Sequence, residues 1–255
     1  KGHNPEGKII KVLGKTDDPG IDILSVIYQY DLPLDFPETV KTASAKIPLT
    51  IKESDCKNRR DRRNFPIVTI DGDDAKDLDD GVYATKKTSG NFLLGVYIAD
   101  VSHYVQENSP LDLEARRRGT SVYLVDRVIP MLPTRLSNGI CSLNAGEDRL
   151  SMAAEMEINT EGTVISYEIF PTVIHVARRL TYNIVNKILV DKDDHFIADN
   201  GDILPLLHTL RELRGILRQR RVKRGSIDFN IPEIKVVLNK KGLPISLLKR
   251  SGSLG

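Results

Sequence analysis

"FPIVTIDGDDAKDLDDGVYATKK", residues 65–87, is the stretch that decides how this chain is read. Both of its ends are rich in β-branched and aromatic residues, as strands are. Between them Asp71, Asp73, Asp74, Asp77, Asp79 and Asp80 crowd together with Lys76 as the single opposite charge among them. Like charges at this spacing repel, so gathering them is costly unless a cation or open solvent removes the conflict. The apolar flanks "IVTI" and "GVY" anchor the run at both ends close to a core. Two readings stay open on the residues alone. One is an acidic surface loop, because a run of charge is usually a solvated face. The other is a site for hard divalent ions such as Mg²⁺, which take carboxylate oxygens and leave positions for water and phosphate. An EF-hand calcium loop is excluded, since it needs an acidic fifth position followed by glycine. Counting from Asp71 those positions are Ala75 and Lys76, and counting from Asp77 they are Gly81 and Val82.

Outward from the loop, "NFLLGVYIADVSHYV" continues as a strand after the turn "TSGN", and "RLSMAAEMEINTEGTVISYEIFPTVIHV" predicts a long hairpin turning at "NTEG". In "NSPLDLEARRRGT", Ser109 is an N-cap, Pro110 suits the first helical position, and Arg116 to Arg118 precede a terminating Gly119. Helices are predicted over 182–190 and 203–224, and a last hairpin joins "EIKVVL" to "LPISLL" through "NKKG". Upstream, "KIIKVL" at 8–13 reads as a strand and "DPGIDILSVIYQY" as a turn into a short helix. Residues 36–64 carry prolines and then "DCKNRRDRRN", which predicts a connecting segment with a solvated basic loop. Strands and helices mix without a regular βα repeat. The expectation is an α+β fold with a mixed, largely antiparallel sheet and flanking helices.

Composition narrows the class. Of 255 residues, 40% are hydrophobic and 28% charged, which is ordinary for a globular protein and unlike a disordered one. A run of about eighteen apolar residues, as a membrane span needs, is absent, and "KGHNPEGKII" lacks the apolar core of a signal peptide. A cytoplasmic protein with no membrane partner is the expectation. Cys56 and Cys141 lie far apart with no His or Cys at zinc-ligand spacing, so both read as reduced. The net charge of +2 excludes little, because the charge is segregated along the chain.

Several longer motifs carry a resemblance. "TIDGDDAKDLDDGVY", "YIADVSHYV", "LDLEARRRGTSVYLVDRVIPMLPTRLSNGICSLN", "DRLSMAAEMEI" and "ARRLTY" together resemble the RNB catalytic domain of the ribonuclease II and ribonuclease R family, in order and spacing over residues 66–182. "RGSIDFNIPE" at 224–233 continues the likeness, and "DGDDAKD" is similar to the ribonuclease R form of the loop. "GKIIKVLG" and "YDLPLDFP" resemble the end of the family's second cold-shock domain, an OB-like β-barrel, with its linker. The division implied is a cold-shock remnant at 1–35, a linker at 36–64 and the first part of the catalytic domain at 65–255.

The resemblance implies a hydrolytic exoribonuclease that works processively from the 3′ end of single-stranded RNA, releasing nucleoside 5′-monophosphates with one or two Mg²⁺ ions. It places the family's catalytic aspartates at Asp71, Asp77, Asp79 and Asp80. Asp71 and Asp80 would ligate a metal against the scissile phosphate, and Asp77 and Asp79 would help hold a second or orient the attacking water. Asp73 and Asp74 fall outside that set. Tyr123 matches a tyrosine that packs near the RNA 3′ end, Phe229 an aromatic on the other side of the base stack, and Tyr182 a further contact with RNA. For each aromatic the alternative is a core side chain. Arg59, Arg60, Arg62 and Arg63, Arg116 to Arg118, and the arginines from 218 to 224 could line a phosphate path, although solvated loops and helix C-termini account for them as well. The family's paired-glutamate helix, its arginine-bearing "TSPIRRY"-like stretch and its S1 domain have no counterpart in these 255 residues. The chain is therefore expected to be a fragment that is inactive or very weak alone. A non-catalytic RNA- or metal-binding module of the same fold is the alternative.

Overall fold

A helical entry, an antiparallel meander and a helical exit follow one another along the chain. The computed structural model describes residues 6–227 and 233–250. The entry comprises α1 (Ile21–Gln29) and α2 (Glu38–Ala45), then the short β1 (Arg60–Asp61). The meander runs through β2 (Ile67–Asp71), β3 (Asp80–Lys86) and β4 (Phe92–Ala99). After it come α3 (Val101–Tyr104), α4 (Pro110–Arg118) and the small hairpin of β5 (Val122–Tyr123) and β6 (Val128–Ile129). Two long strands, β7 (Asp148–Ile158) and β8 (Val164–Thr181), lead to α5 (Tyr182–Asn186), α6 (Asp194–Asp199) and α7 (Leu204–Lys223). The hairpin β9 (Glu233–Leu238) and β10 (Pro244–Arg250) ends the described residues.

The α+β reading holds, with a mixed and largely antiparallel sheet in the order β1-β8-β2-β3-β4-β7. Its unusual member is β8. From Val164 to His175 this strand pairs antiparallel with β7, and from Val176 to Thr181 it pairs parallel with β2. Since β2, β3, β4 and β7 are already neighbours, β8 returns the sheet to its start and closes it. Closure removes the exposed edges that β2 and β7 would otherwise present.

Because strand side chains alternate, the curled sheet buries both faces. Ile67, Tyr97, Ala153, Phe170 and Ile174 fill one side together with Leu78 and Leu143. Val68, Ala84 and Leu180 face the other, where Ile188, Leu206 and Leu207 of the helical exit cover them. A third cluster joins Val40 of α2 to Leu111 of α4 and to Leu136 and Ile140. The signals read for α4 are met: Ser109 Oγ accepts from the Asp112 amide at 3.3 Å, and Gly119 ends the helix at φ 76°.

Two expectations fail. "KIIKVL" is not a strand: residues 8–13 have no regular structure, and Ile9, Ile10 and Val12 are 84%, 93% and 80% exposed. A strand needs a neighbour to complete its hydrogen bonds, and none of the described residues pairs with this one. The basic stretch within 36–64, expected as a solvated loop, is instead tied to the sheet, and α2 lies in the same segment. Arg59 reaches Asp100 at 2.5 Å with both side chains largely buried, Arg62 grips Glu155 at 2.7 Å, Arg63 meets Asp61 at 2.5 Å, and Arg60 pairs with Glu168. These partners lie up to a hundred or so residues away, where a local reading of charge does not reach.

Arg118 performs a similar task at the end of α4. Its side chain is 2% exposed and is bonded to Glu114 at 2.9 Å. Its remaining donors reach the carbonyls of Pro33 at 2.9 Å, Asp35 at 2.7 Å and Pro130 at 3.1 Å, and its guanidinium lies 3.7 Å from the centre of the Phe36 ring. One cation thus holds the 33–36 segment against α4 and the Pro130 segment. Glu114 keeps Arg117 as a partner, but removing Arg118 leaves the carbonyls of Pro33, Asp35 and Pro130 without their donor, so Arg118→Met is expected to lower unfolding stability by about 1–3 kcal/mol in urea titrations. The hydrogen bond from Arg117, followed by that from Arg118, holds the Glu114 carboxyl below its ordinary value. A depressed carboxylate contributes stability above its unfolded value of 4.5 that is lost as pH falls through the folded value. Glu114→Gln is therefore expected to flatten the acid limb of stability against pH below about 4.5.

Candidate functional site

The acidic run is a pinned loop. Asp71 is the last residue of β2 and Asp80 the first of β3, so the sheet holds both ends. Between them Leu78 is 1% exposed and packs into the core beside Ile67 and Leu143. An extended backbone sends the neighbours of an inward side chain outward, which places Asp77 and Asp79 together on the open side. The backbone around Leu78 is fixed on both sides. Its amide donates to Ser142 Oγ at 3.1 Å, and its carbonyl accepts from the Leu143 amide at 2.8 Å. The Ala99 amide donates to the Asp79 carbonyl at 2.9 Å. The first half of the loop is held by Arg179, whose guanidinium donates to the carbonyls of Ala75 at 2.7 Å and Asp73 at 3.2 Å.

This anchoring fixes the path of the loop and brings the four aspartates into electrostatic contact. Asp71 is raised above the ordinary carboxylate value, first by desolvation and next by Asp80, with Asp79 and Asp77 adding and Arg179 opposing. Asp79 is also raised, by desolvation and then by Asp77 and Asp80. Its own surface is open, but enough protein surrounds it for desolvation to lead. Asp73 and Asp74 stand apart from this group. Asp73 accepts from the Asn183 side chain, and Asp74 pairs with Lys235 of β9 at 2.7 Å.

Tyr123 belongs to the same site. Its hydroxyl donates to Asp77 Oδ2 at 2.6 Å, which with desolvation pushes the phenol up to about 12. The ring is 65% exposed, so the core alternative fails for it. Tyr182 is 44% exposed and directly follows Thr181, the register partner of Asp71. Phe229 lies outside the described residues. Beside the loop an open cleft of about 390 Å³ runs from Asp73 past Arg179 and Thr181 to Asn183, Lys187 and Phe196. Of the arginines considered for a phosphate path, those at 59–63 and 116–118 have carboxylate partners, and Arg179, which the sequence reading passed over, borders the loop.

The donor set suits a hard cation. Every candidate ligand is a carboxylate, and Asp71 and Asp79 are raised first by desolvation and then by neighbouring carboxylates, both of which a divalent ion would offset. Among the described residues no three acidic, His or Cys side chains form a ready-made metal cluster. Mg²⁺ does not require one, because it keeps several waters and is commonly bound through one or two carboxylates and a substrate phosphate.

Comparison with known proteins places this geometry in a family. The RNB domain pattern matches residues 59–253, and a cold shock domain pattern matches residues 1–37. Ribonuclease R of Thermotoga maritima is 50% identical over 252 residues, covering 98% of this chain and 35% of that protein. Ribonuclease R 1 of Lactococcus lactis is 47% identical, covering 96% of this chain and 30% of its own length. The chain thus spans about a third of the length of these curated relatives. Among solved structures, Mycoplasma genitalium RNase R in complex with ribose methylated single-stranded RNA superposes with a TM-score of 0.86 at 30% identity, over 95% of this chain and 37% of that one. No helix among the described residues is long and apolar enough to cross a membrane. With a pinned aspartate loop in a closed sheet, and a domain match over most of its length, this chain belongs to the RNB domain family, with ribonuclease R proteins as its relatives.

Proposed function

We propose that the protein carrying this chain is a hydrolytic exoribonuclease that works processively from the 3′ end of single-stranded RNA, releasing nucleoside 5′-monophosphates with Mg²⁺. The observation that carries this reading is the loop itself: Leu78 buried, Asp77 and Asp79 facing outward, Asp71 and Asp80 at its sheet-bound ends, and Tyr123 bonded to Asp77. The names of the relatives support the substrate class, and the Mycoplasma genitalium relative was solved with RNA bound. Charge supports the cation. Four carboxylates would repel an RNA phosphate, so a nuclease built on them needs a positive ion between. Divalent ions in such a site supply charge stabilisation at the phosphate and favour ionisation of water.

In this proposal Asp71 and Asp80 hold an ion on the scissile-phosphate side, while Asp77 and Asp79 hold a second or orient the attacking water. Tyr123 and Tyr182 offer exposed rings for the terminal bases, and Phe229 is retained from the sequence resemblance. Stacking suits an enzyme without sequence preference, because every base has a π-face. The 255 residues alone are proposed to turn over RNA weakly or not at all, with the remaining phosphate-stabilising charge supplied from elsewhere in the gene product. A second reading is a non-catalytic RNA- or metal-binding module of the same fold, in which the exposed Tyr123 and Tyr182 would still meet RNA.

The test is a 3′-tailed single-stranded RNA incubated with the whole gene product and with the 255-residue chain. The whole protein is expected to release mononucleotides, to stop in EDTA, and to lose about a hundredfold or more of its rate in Asp79→Asn. Activity that survives EDTA and Asp79→Asn overturns the reading. RNA binding that is indifferent both to EDTA and to Asp71→Asn and Asp80→Asn favours the module. For the aromatic contact, Tyr123→Ala is expected to weaken RNA binding by about 1–3 kcal/mol in fluorescence anisotropy, while Tyr123→Phe, which keeps the ring, stays near wild type.

A further inference from the structure

A buried serine from the turn after α4 and β6 meets the acidic loop at its most constrained point. Ser142 is 0% exposed. Its Oγ accepts the Leu78 amide at 3.1 Å, and its single hydroxyl proton lies between the Lys76 carbonyl at 3.1 Å and Asn144 Oδ1 at 3.3 Å. One hydroxyl therefore spans the backbone on either side of Asp77. The adjacent Leu143 amide takes the Leu78 carbonyl at 2.8 Å, so two consecutive residues of this turn grip the loop.

The turn is itself held in place. Arg149, with a side chain 3% exposed, donates from Nε to the Ser142 carbonyl at 2.8 Å and from Nη2 to the Gly139 carbonyl at 3.2 Å, and it also pairs with Glu147. Since Arg149 lies in β7, the chain of contacts runs from the closed sheet through Arg149 and Ser142 to the backbone between Lys76 and Leu78. We propose that Ser142, held by Arg149, is a positioning residue that fixes the outward direction of Asp77 and Asp79 and so sets the affinity of the loop for a divalent cation.

Neither residue touches the carboxylates, and the proposal rests on the metal-dependent reading above. A loop gathering several negative charges tends to relax apart, and a rigid backbone is what keeps the carboxylates together when no cation is bound. Groups that orient metal ligands typically change affinity by about 10–100-fold when removed.

The experiment uses the 255-residue chain, with Mn²⁺ as the probe, read by electron paramagnetic resonance, and with amide hydrogen exchange read residue by residue. Ser142→Ala is expected to weaken Mn²⁺ binding about tenfold or more and to speed exchange at the Leu78 amide, while amides of the β4–β7 ladder keep their protection. Ser142→Thr, which restores the hydroxyl, is expected to recover most of both effects. Should the threonine not pack, Arg149→Met is expected to loosen Leu78 by the same relay. Unchanged Mn²⁺ affinity in Ser142→Ala, with Asp79→Asn losing it, overturns the positioning role and leaves the metal reading intact. Equal Mn²⁺ affinity in wild type and Asp79→Asn overturns the metal reading. In that case, unchanged Leu78 exchange in Ser142→Ala overturns the positioning role as well, and faster exchange supports its structural part.

Discussion

Burial of one leucine in the middle of an acidic run is the constraint from which the site follows. Leu78 contributes to the core only if the loop folds inward, and folding inward forces Asp77 and Asp79 out beside each other. Burying a side chain of this size is worth about 1.5–3 kcal/mol, comparable to the cost of holding several partly solvated carboxylates near one another. Asp71 and Asp79 are raised by their own partial desolvation and, after it, by the carboxylates beside them. Apolar burial and backbone hydrogen bonds thus maintain a charge arrangement that the charges themselves oppose.

The closed sheet gives that loop something rigid to hang from. Both ends of the loop are strand residues, and Asp71 is in register with Thr181 at the far end of β8. Since β8 also pairs with β7, the strand carrying Arg149 and the strand carrying Asp71 are coupled through one continuous backbone. Tyr182 follows immediately from Thr181, so one end of the sheet carries the aspartates and an exposed aromatic ring together. Arg179, two residues earlier than Thr181, holds the first half of the loop by its backbone carbonyls.

Arginine serves here chiefly as a structural clamp. Arg59, Arg62 and Arg118 donate to carboxylates or carbonyls of segments distant in sequence, and Arg149 donates to carbonyls of the turn just before its own strand. The planar guanidinium suits this use because it offers several donors in fixed directions and remains charged when buried. A basic patch read from sequence as a nucleic-acid path is, over residues 59–63, a row of ion pairs to the sheet.

Local patterning determined a large part of this protein. Alternation marked β2, β3, β4 and the long β7–β8 hairpin, Ser109 and Gly119 marked the ends of α4, and the acidic run between two apolar strands marked the site. Each of those signals acts between residues close in the chain, where side-chain direction and capping follow from the backbone. Tertiary structure alone decided that β8 pairs with both β7 and β2, that "KIIKVL" finds no strand beside it, that Arg118 clamps residues 33–36, and that Ser142 and Arg149 support Leu78. These depend on which distant groups meet, and a buried hydroxyl or guanidinium has no pattern of its own until its partners have folded around it.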